Sequence, residues 1–178
     1  GSLPIGVHRF LAYTSDKCGN LGEHPIEVSV VDCTVPVPNC EANKTVVLQP
    51  FDSDGDGISD TGQETLSAAD FVDKEIADCT GPVSYYAFKD TELPDGPEAV
   101  TAELLTPERE NITFDCTEKG TIMTVYIFAQ DGAGNFGYCS SSTEVTVDSN
   151  ADPCIDNGLR IDAGDTESLF DSKVSGQP

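Results

Sequence analysis

The densest group of potential metal ligands in this 178-residue sequence is an aspartate-rich run, Asp52-Ser53-Asp54-Gly55-Asp56-Gly57-Ile58-Ser59-Asp60. Carboxylates at positions 1, 3, 5 and 9 of this run can converge on one cation if the chain turns sharply, and Gly57 permits that turn. Oxygen donors without histidine or thiolate favour calcium over zinc or copper. The pattern therefore predicts a Ca²⁺ site whose ligands are Asp52, Asp54, Asp56, Asp60, the main-chain carbonyl of Ile58, and Glu64. A solvated acidic turn is the alternative.

The spacing departs from an EF-hand, because Gln63 stands where the bidentate glutamate would be. It resembles instead the Asp-x-Asp-x-Asp-Gly-x-x-Asp loop of thrombospondin type 3 repeats, with Glu64 or a more distant carboxylate completing the coordination shell. Catalytic chemistry is not expected. His8 and His24 have no nucleophile-elbow partner, and the carboxylates lie on turns rather than in a glycosidase-like pair.

Charge and hydropathy restrict the partners. Acidic residues outnumber basic residues 32 to 9, which gives a formal charge of -23. Such a chain repels phosphate backbones and anionic lipid, so we expect neither nucleic-acid binding nor membrane insertion. No apolar run approaches the roughly 20 residues that a spanning helix needs.

Seven cysteines are typical of an exported protein, and we expect an extracellular or cell-surface location. No Cys-x-x-Cys pair is present, so disulfides are favoured over a thiolate metal site. Seven cysteines cannot all pair internally, and Cys18 or Cys154 is expected to lack a partner within the chain.

The elements that must hold these residues are predicted to be strands and turns. Residues 8–13, 83–88 and 123–129 alternate with a period of two, and glycine- and proline-rich turns separate such runs. Residues 65–76 are left open between a short helix and a strand with a loop. The spacing of the strands predicts an all-β fold, an antiparallel β-sandwich of the immunoglobulin type.

The sequence also contains an internal repeat. Asp16-Lys17-Cys18-Gly19-Asn20-Leu21-Gly22 matches Asp131-Gly132-Ala133-Gly134-Asn135-Phe136-Gly137, and both copies run into an alternating strand, an aspartate and a cysteine. A period of about 115 residues fits a sandwich domain. We therefore expect the second half of one repeat at 1–38, a complete repeat at 39–150, and the start of another at 151–178.

Asp16 and Asp131 sit where an Asx-turn is expected. The alternative for Asp131 is a second calcium site, shared with Asp148 and Asp152 at the repeat junction.

These landmarks, together with Ala77-Asp78-Cys79-Thr80-Gly81-Pro82 and Phe114-Asp115-Cys116, resemble the hyalin repeat (HYR), an immunoglobulin-like extracellular module, and the HYR-like arrays of large surface and secreted proteins of Bacteroidetes. The resemblance implies an adhesive or structural role without catalytic residues. Cys79, Cys116 and Cys139 are the candidates for a disulfide within the complete repeat, and the resemblance favours the pairing of Cys79 with Cys139.

Two functions are therefore expected. The first is a calcium-stabilised structural or adhesive repeat of an extracellular adhesin or filament, with neighbouring repeats as partners. The alternative is a carbohydrate- or protein-binding accessory domain of a secreted enzyme, although the chain has no tryptophan for an aromatic platform. The terminal fragments are expected either to pack on the central repeat or to exchange strands head to tail between subunits.

Overall fold

The computed structural model describes residues 3–74, 76, 81–148 and 152–154. The strands in chain order are β1 (Gly6–Ser15), β2 (Leu21–Val30), β3 (Asn43–Phe51), β4 (Thr61–Ser67), β5 (Ser84–Lys89), β6 (Asn111–Asp115), β7 (Ile122–Gln130) and β8 (Phe136–Val147). Strands β1 and β2 form a two-stranded antiparallel sheet, and the other six are connected in the order β5-β7-β8-β3-β4-β6. The predicted all-β sandwich is confirmed.

Strand β3 belongs to both layers of the sandwich. Its residues 43–48 pair with residues 142–147 of β8, and its residues 49–51 pair with β4. One layer is therefore β5-β7-β8-β3, and the other is β3-β4-β6. The β3–β8 pair is parallel, unlike the other strand pairs among the described residues, so the prediction of a purely antiparallel sandwich was too simple.

The core lies between the two layers. Side chains from both layers and from the turn after β4 meet there with almost no solvent exposure, among them Val46, Leu48, Phe71, Ile112, Phe114, Val125, Ile127 and Val145. Alternation along β3 points every second side chain inward, and the inward residues of β7 alternate as the period of two at 123–129 predicted. Burial of this apolar surface is the main stabilising term of the fold.

A second apolar cluster covers the opposite face of β5 and β7. It consists of Tyr86, Phe88, Val100, Leu105 and Phe128, beneath the short 3₁₀ turns of residues 97–104. Phe88 and Phe128 meet edge to face with ring centroids 5.5 Å apart. These two strands are therefore buried on both faces.

Residues 65–76, predicted to be either a short helix or a strand with a loop, contain the end of a strand followed by a short 3₁₀ turn. Strand β4 ends at Ser67, and one 3₁₀ turn follows at Ala68–Phe71. Ser67 caps this turn by accepting from the Ala69 N–H, and Asp70 accepts from the Ser67 N–H in return. The turn places Phe71 in the core.

Residues 32–38 connect the hairpin to the sandwich and lie along the beginning of β8. Pro36 and Pro38 are buried, and the Asn135 side-chain amide donates to the Asp32 carbonyl over 3.2 Å. The Pro36 carbonyl lies so close to Gly137 that a Cβ built there would be 2.4 Å from its oxygen. This linker therefore packs on the repeat that follows it. Residues 6–30 pair with no strand of the six-stranded sheet within the described part, and the tail from 155 to 178 lies outside the described residues.

Two disulfides join the described parts of the chain, Cys40–Cys139 and Cys116–Cys154. The pairing of Cys79 with Cys139 was wrong, because the parallel register that places Asn43 opposite Ser142 also places Cys40 opposite Cys139. Cys79 itself lies outside the described residues.

The expectation that Cys18 or Cys154 lacks a partner is met by Cys18, whereas Cys154 bonds to Cys116 at the end of β6. Cys18 and Cys33 are exposed free thiols. Two disulfides suggest an oxidising, extracellular environment. Across the described ranges, no helix is long and apolar enough to cross a membrane.

Candidate metal centre

The aspartate-rich run is the complete connection between β3 and β4. Phe51 and Thr61 form the last pair of the two strands, and the Asp60 N–H donates to the Phe51 carbonyl over 3.0 Å. The run is therefore a nine-residue hairpin loop, 52–60, on a paired base. We call it the acidic loop.

Backbone N–H groups organise the interior of the acidic loop around Asp52. One carboxylate oxygen of Asp52 accepts from the Gly55 N–H and the other from the Gly57 N–H, both over 2.7 Å. Gly55 and Gly57 have φ values of 80° and 88°, which side chains with a Cβ rarely adopt. The sharp turn predicted at Gly57 is therefore present.

Three carboxylates converge in this loop. Asp52, Asp54 and Asp56 each place an oxygen within 4.8 Å of the others, and they are the only three acidic, histidine or cysteine residues that do so among the described residues. Asp52 is half-buried, whereas Asp54 and Asp56 are exposed. None of the ion pairs in the described part of the chain involves this triad. The triad thus concentrates negative charge without a neutralising side chain.

Hydrogen bonding keeps Asp52 in its charged form. The N–H of Gly57, and then that of Gly55, lowers the pKa of the Asp52 carboxyl below its usual range, although partial desolvation opposes the shift. An ionised oxygen that accepts one N–H retains a lone pair for a cation. The arrangement is suited to a hard divalent ion with oxygen ligands.

The other predicted ligands lie outside the triad. The Asp60 carboxylate accepts from the Ser53 N–H over 3.0 Å and from the Ser53 hydroxyl over 2.6 Å, which closes the base of the loop. The Ile58 N–H donates to Asp56 over 2.7 Å, and its carbonyl as a ligand stays a prediction. Glu64 lies on β4 opposite Phe114 and lines a groove with Lys44 and Val47. The role of Ser53 was missed, because nothing in the run distinguishes a bridging serine from a spacer.

The second calcium site, which was the alternative interpretation of Asp131, does not assemble among the described residues. Asp131 is only 5% exposed, and its carboxylate accepts from the N–H groups of Ala133 and Asn135 and from the Asn135 side chain. Asp152 pairs with Lys119, and its oxygens do not form a three-residue group with Asp131 and Asp148. The structure therefore shows Asp131 in the Asx-turn that was the first interpretation.

The acidic loop lies beside one of the disulfides. The Gly62 N–H, two residues after the loop, donates to Cys116 Sγ over 3.1 Å, and the Thr61 hydroxyl approaches the same sulfur at 3.5 Å. A Cβ built at Gly62 would lie 2.7 Å from Pro153 and 3.1 Å from Cys154 Sγ. The loop therefore sits at the end of the sandwich where the chain leaves β8.

The chain matches no protein-family model and no curated protein, so the geometry described above carries the functional argument.

Proposed function

We propose that this chain is a calcium-stabilised structural or adhesive repeat module of an extracellular adhesin or filament. The observation that carries the proposal is the acidic loop, in which three carboxylates lie within 4.8 Å of one another on a paired hairpin base. A bound Ca²⁺ would be held by Asp52, Asp54 and Asp56, with the Ile58 carbonyl and Asp60 as further candidates. Its charge would offset the repulsion among these groups.

The position of the loop gives calcium a mechanical role. The β4 residues that follow the loop contact the Cys116–Cys154 bridge, and this bridge fastens the segment that leaves β8. Ordering the loop would therefore stiffen the point at which one module passes to the next. The resemblance to hyalin repeats and the internal repeat of about 115 residues support the same role.

The proposal is tested by thermal unfolding in calcium, magnesium and chelator. A ligand that binds only the folded state at about one hundred times its Kd adds about 2.7 kcal/mol, which corresponds to a Tm increase of several degrees in a domain of this size. Magnesium should do less, because it prefers a smaller octahedral shell. Identical melting curves in calcium and chelator would contradict the proposal.

The variants Asp54→Asn and Asp56→Asn should each remove most of the calcium effect while keeping the shape of the loop. Asp95→Asn is the matched control, because Asp95 is an exposed aspartate in the turn between β5 and β6. It should retain the full calcium response.

A further inference from the structure

Two β-hairpins of this chain, β1–β2 and β7–β8, are structural copies of one another. In β1–β2 the last pair before the turn is Ser15 with Leu21, and in β7–β8 it is Gln130 with Phe136. Both members of the second pair lie about 115 residues beyond those of the first, which is the period found in the sequence. The register is therefore the same in both hairpins.

The turns of the two hairpins contain the same hydrogen bonds. Asp16 accepts from the Cys18 N–H and from both the main chain and the side chain of Asn20. Asp131 accepts from Ala133 and Asn135 in the same way. This agreement shows that β1–β2 has the geometry of the last hairpin of a sandwich module.

The surroundings of the two hairpins differ. Phe128 and Thr143 are fully buried, whereas Tyr13 and Val28, their counterparts in the first hairpin, are 61% and 37% exposed. Phe10 is likewise exposed where its counterpart Val125 is buried. The first hairpin therefore exposes side chains on both faces where its copy buries them: Tyr13 corresponds to Phe128 on the outer face, whereas Phe10 and Val28 correspond to Val125 and Thr143 on the core face.

Gly22 in β2 indicates that a neighbouring backbone lies against the edge of this strand, as one does at Gly137 in β8. In β8, Gly137 is needed because the Pro36 carbonyl of the linker approaches it, and β3 then continues in parallel along residues 142–147. Gly22 occupies the equivalent place in β2, yet a Cβ built there would meet just one described atom within 4 Å, the hydroxyl oxygen of Thr14. Because glycine weakens a strand, its presence at this edge is explained by a backbone that lies against it in the assembled protein.

We propose that the β1–β2 hairpin is a docking site for the opening segment of an equivalent module. That segment has the chemistry of residues 32–49 of this chain: an extended stretch with buried prolines that passes Gly22, then an alternating apolar strand added in parallel to β2 at residues 27–30. Strand addition of this kind satisfies the free edge of β2 and extends its apolar face. The inference deepens the module function proposed above, but it does not depend on calcium.

The charge distribution favours this face over the rest of the surface. Residues 3–31 contain two basic residues, Arg9 and Lys17, and three acidic residues, Asp16, Glu23 and Glu27, within a chain whose net charge is -23. The hairpin is thus almost neutral, whereas the remainder of the molecule repels another acidic module. An apolar strand can reach β2 without meeting that repulsion.

The test uses the intact chain and a fluorescent synthetic peptide of residues 32–49, with serine in place of both cysteines. We expect saturable binding by fluorescence anisotropy and slower hydrogen exchange of the amides in residues 27–30. A control peptide with aspartate at the inward positions Val46 and Leu48 should not bind. Calcium is omitted, so failure here is distinguishable from failure of the acidic-loop proposal.

Two variants of the chain make the test specific. Gly22→Val should weaken peptide binding at least about tenfold, equivalent to about 1.4 kcal/mol, because its side chain blocks the approaching backbone. Val28→Lys should do the same by placing a charge on the apolar face. Ile122→Lys changes another exposed apolar residue, 71% exposed at the start of β7, and should bind normally.

Absence of binding by the unchanged chain, or equal binding by Gly22→Val, would overturn the proposal. The chain could also associate with itself through the hairpin. If the peptide does not compete with that self-association, the proposal is overturned, because the occupant is then a second copy of the chain. An unchanged Tm in each variant shows that the loss of binding is not caused by unfolding.

Discussion

Removing each disulfide separately tests how the sandwich is stabilised. The variants are Cys40→Ala with Cys139→Ala, and Cys116→Ala with Cys154→Ala. The first bridge closes a loop with a sequence separation of 99 residues, and the second closes one of 38. In the chain-entropy account, these loops correspond to about 4.7 and about 3.9 kcal/mol of stabilisation.

Each loss is large compared with the roughly 5 to 15 kcal/mol by which a domain is stable. The Cys40–Cys139 variant should be the less stable of the two by about 1 kcal/mol, since its loop is longer. The half-cystines of both bridges pack against the core, so the removal of either bridge adds a small packing loss and the difference between the variants comes from loop length.

Equilibrium unfolding in guanidinium chloride under non-reducing conditions measures both differences. The slope of the transition should stay similar if the native fold is retained. If the Cys116–Cys154 variant proved to be the less stable, the contribution of loop length would be refuted. The contacts of that bridge with β4 would then be the main source of its stabilisation.

Four further outcomes follow from single residues. Thr143→Val should stabilise the protein by about 1 kcal/mol in urea unfolding, because its buried hydroxyl oxygen has no hydrogen-bond partner. Asp131→Ala should cost about 2 to 3 kcal/mol, and Asp16→Ala in the exposed copy of the turn less, by the same measurement. Gly137→Val should lower the Tm and expose the linker to proteolysis, because the new side chain meets the Pro36 carbonyl. Because the pKa of Asp52 is lowered in the folded state, its ionised carboxylate stabilises the fold well above pH 3.8, and this stabilisation is lost as the pH falls through the folded pKa. Unfolding measured against pH should therefore show a smaller loss of stability at acid pH for Asp52→Asn than for the unchanged chain.

The local elements of the fold could be predicted from the sequence. Period-two alternation identified the strands at 8–13, 83–88 and 123–129, and each lies within an observed strand apart from residue 83. The Asx-turn at Asp131 and the sharp turn at Gly57 followed from residue types whose backbone preferences are strong. The convergence of Asp52, Asp54 and Asp56 was also predicted, because their spacing is short enough for one loop to bring them together.

The long-range pairings could not be predicted in the same way. The parallel contact of β3 with β8 joins residues 99 positions apart, and no turn signal connects them. The correct partner of Cys139 follows from that register, so the error in the disulfide came from the same source. The linker at 32–38 has no periodicity, and its packing depends on Gly137, a residue far away in the sequence.

The two hairpins show which features of the repeat are shared and which are not. The aspartate, the Gly-Asn pair and the strand glycine, which fix the turn and the close approach of a neighbouring backbone, occur in both copies. The inward side chains differ: Ser141 and Thr143 in β8 correspond to Ile26 and Val28 in β2.

The module half that covers β1–β2 must therefore accommodate bulkier, fully apolar side chains than β3–β6 of this chain do. Overpacking of a fitted core costs about 1 to 3 kcal/mol, so an opening segment with smaller side chains opposite β2 should bind the hairpin more tightly than residues 32–49 do. In the parallel register, Val46 lies beside Val145, the counterpart of Val30, and diagonally next to Thr143, the counterpart of Val28. In the peptide assay, Val46→Ala should accordingly increase affinity for the unchanged chain. The same change should decrease affinity for a chain carrying Ile26→Ser and Val28→Thr, which reproduces the inward residues of β8. A decrease with both chains would mean that the covering strand needs apolar bulk at this position whatever β2 presents.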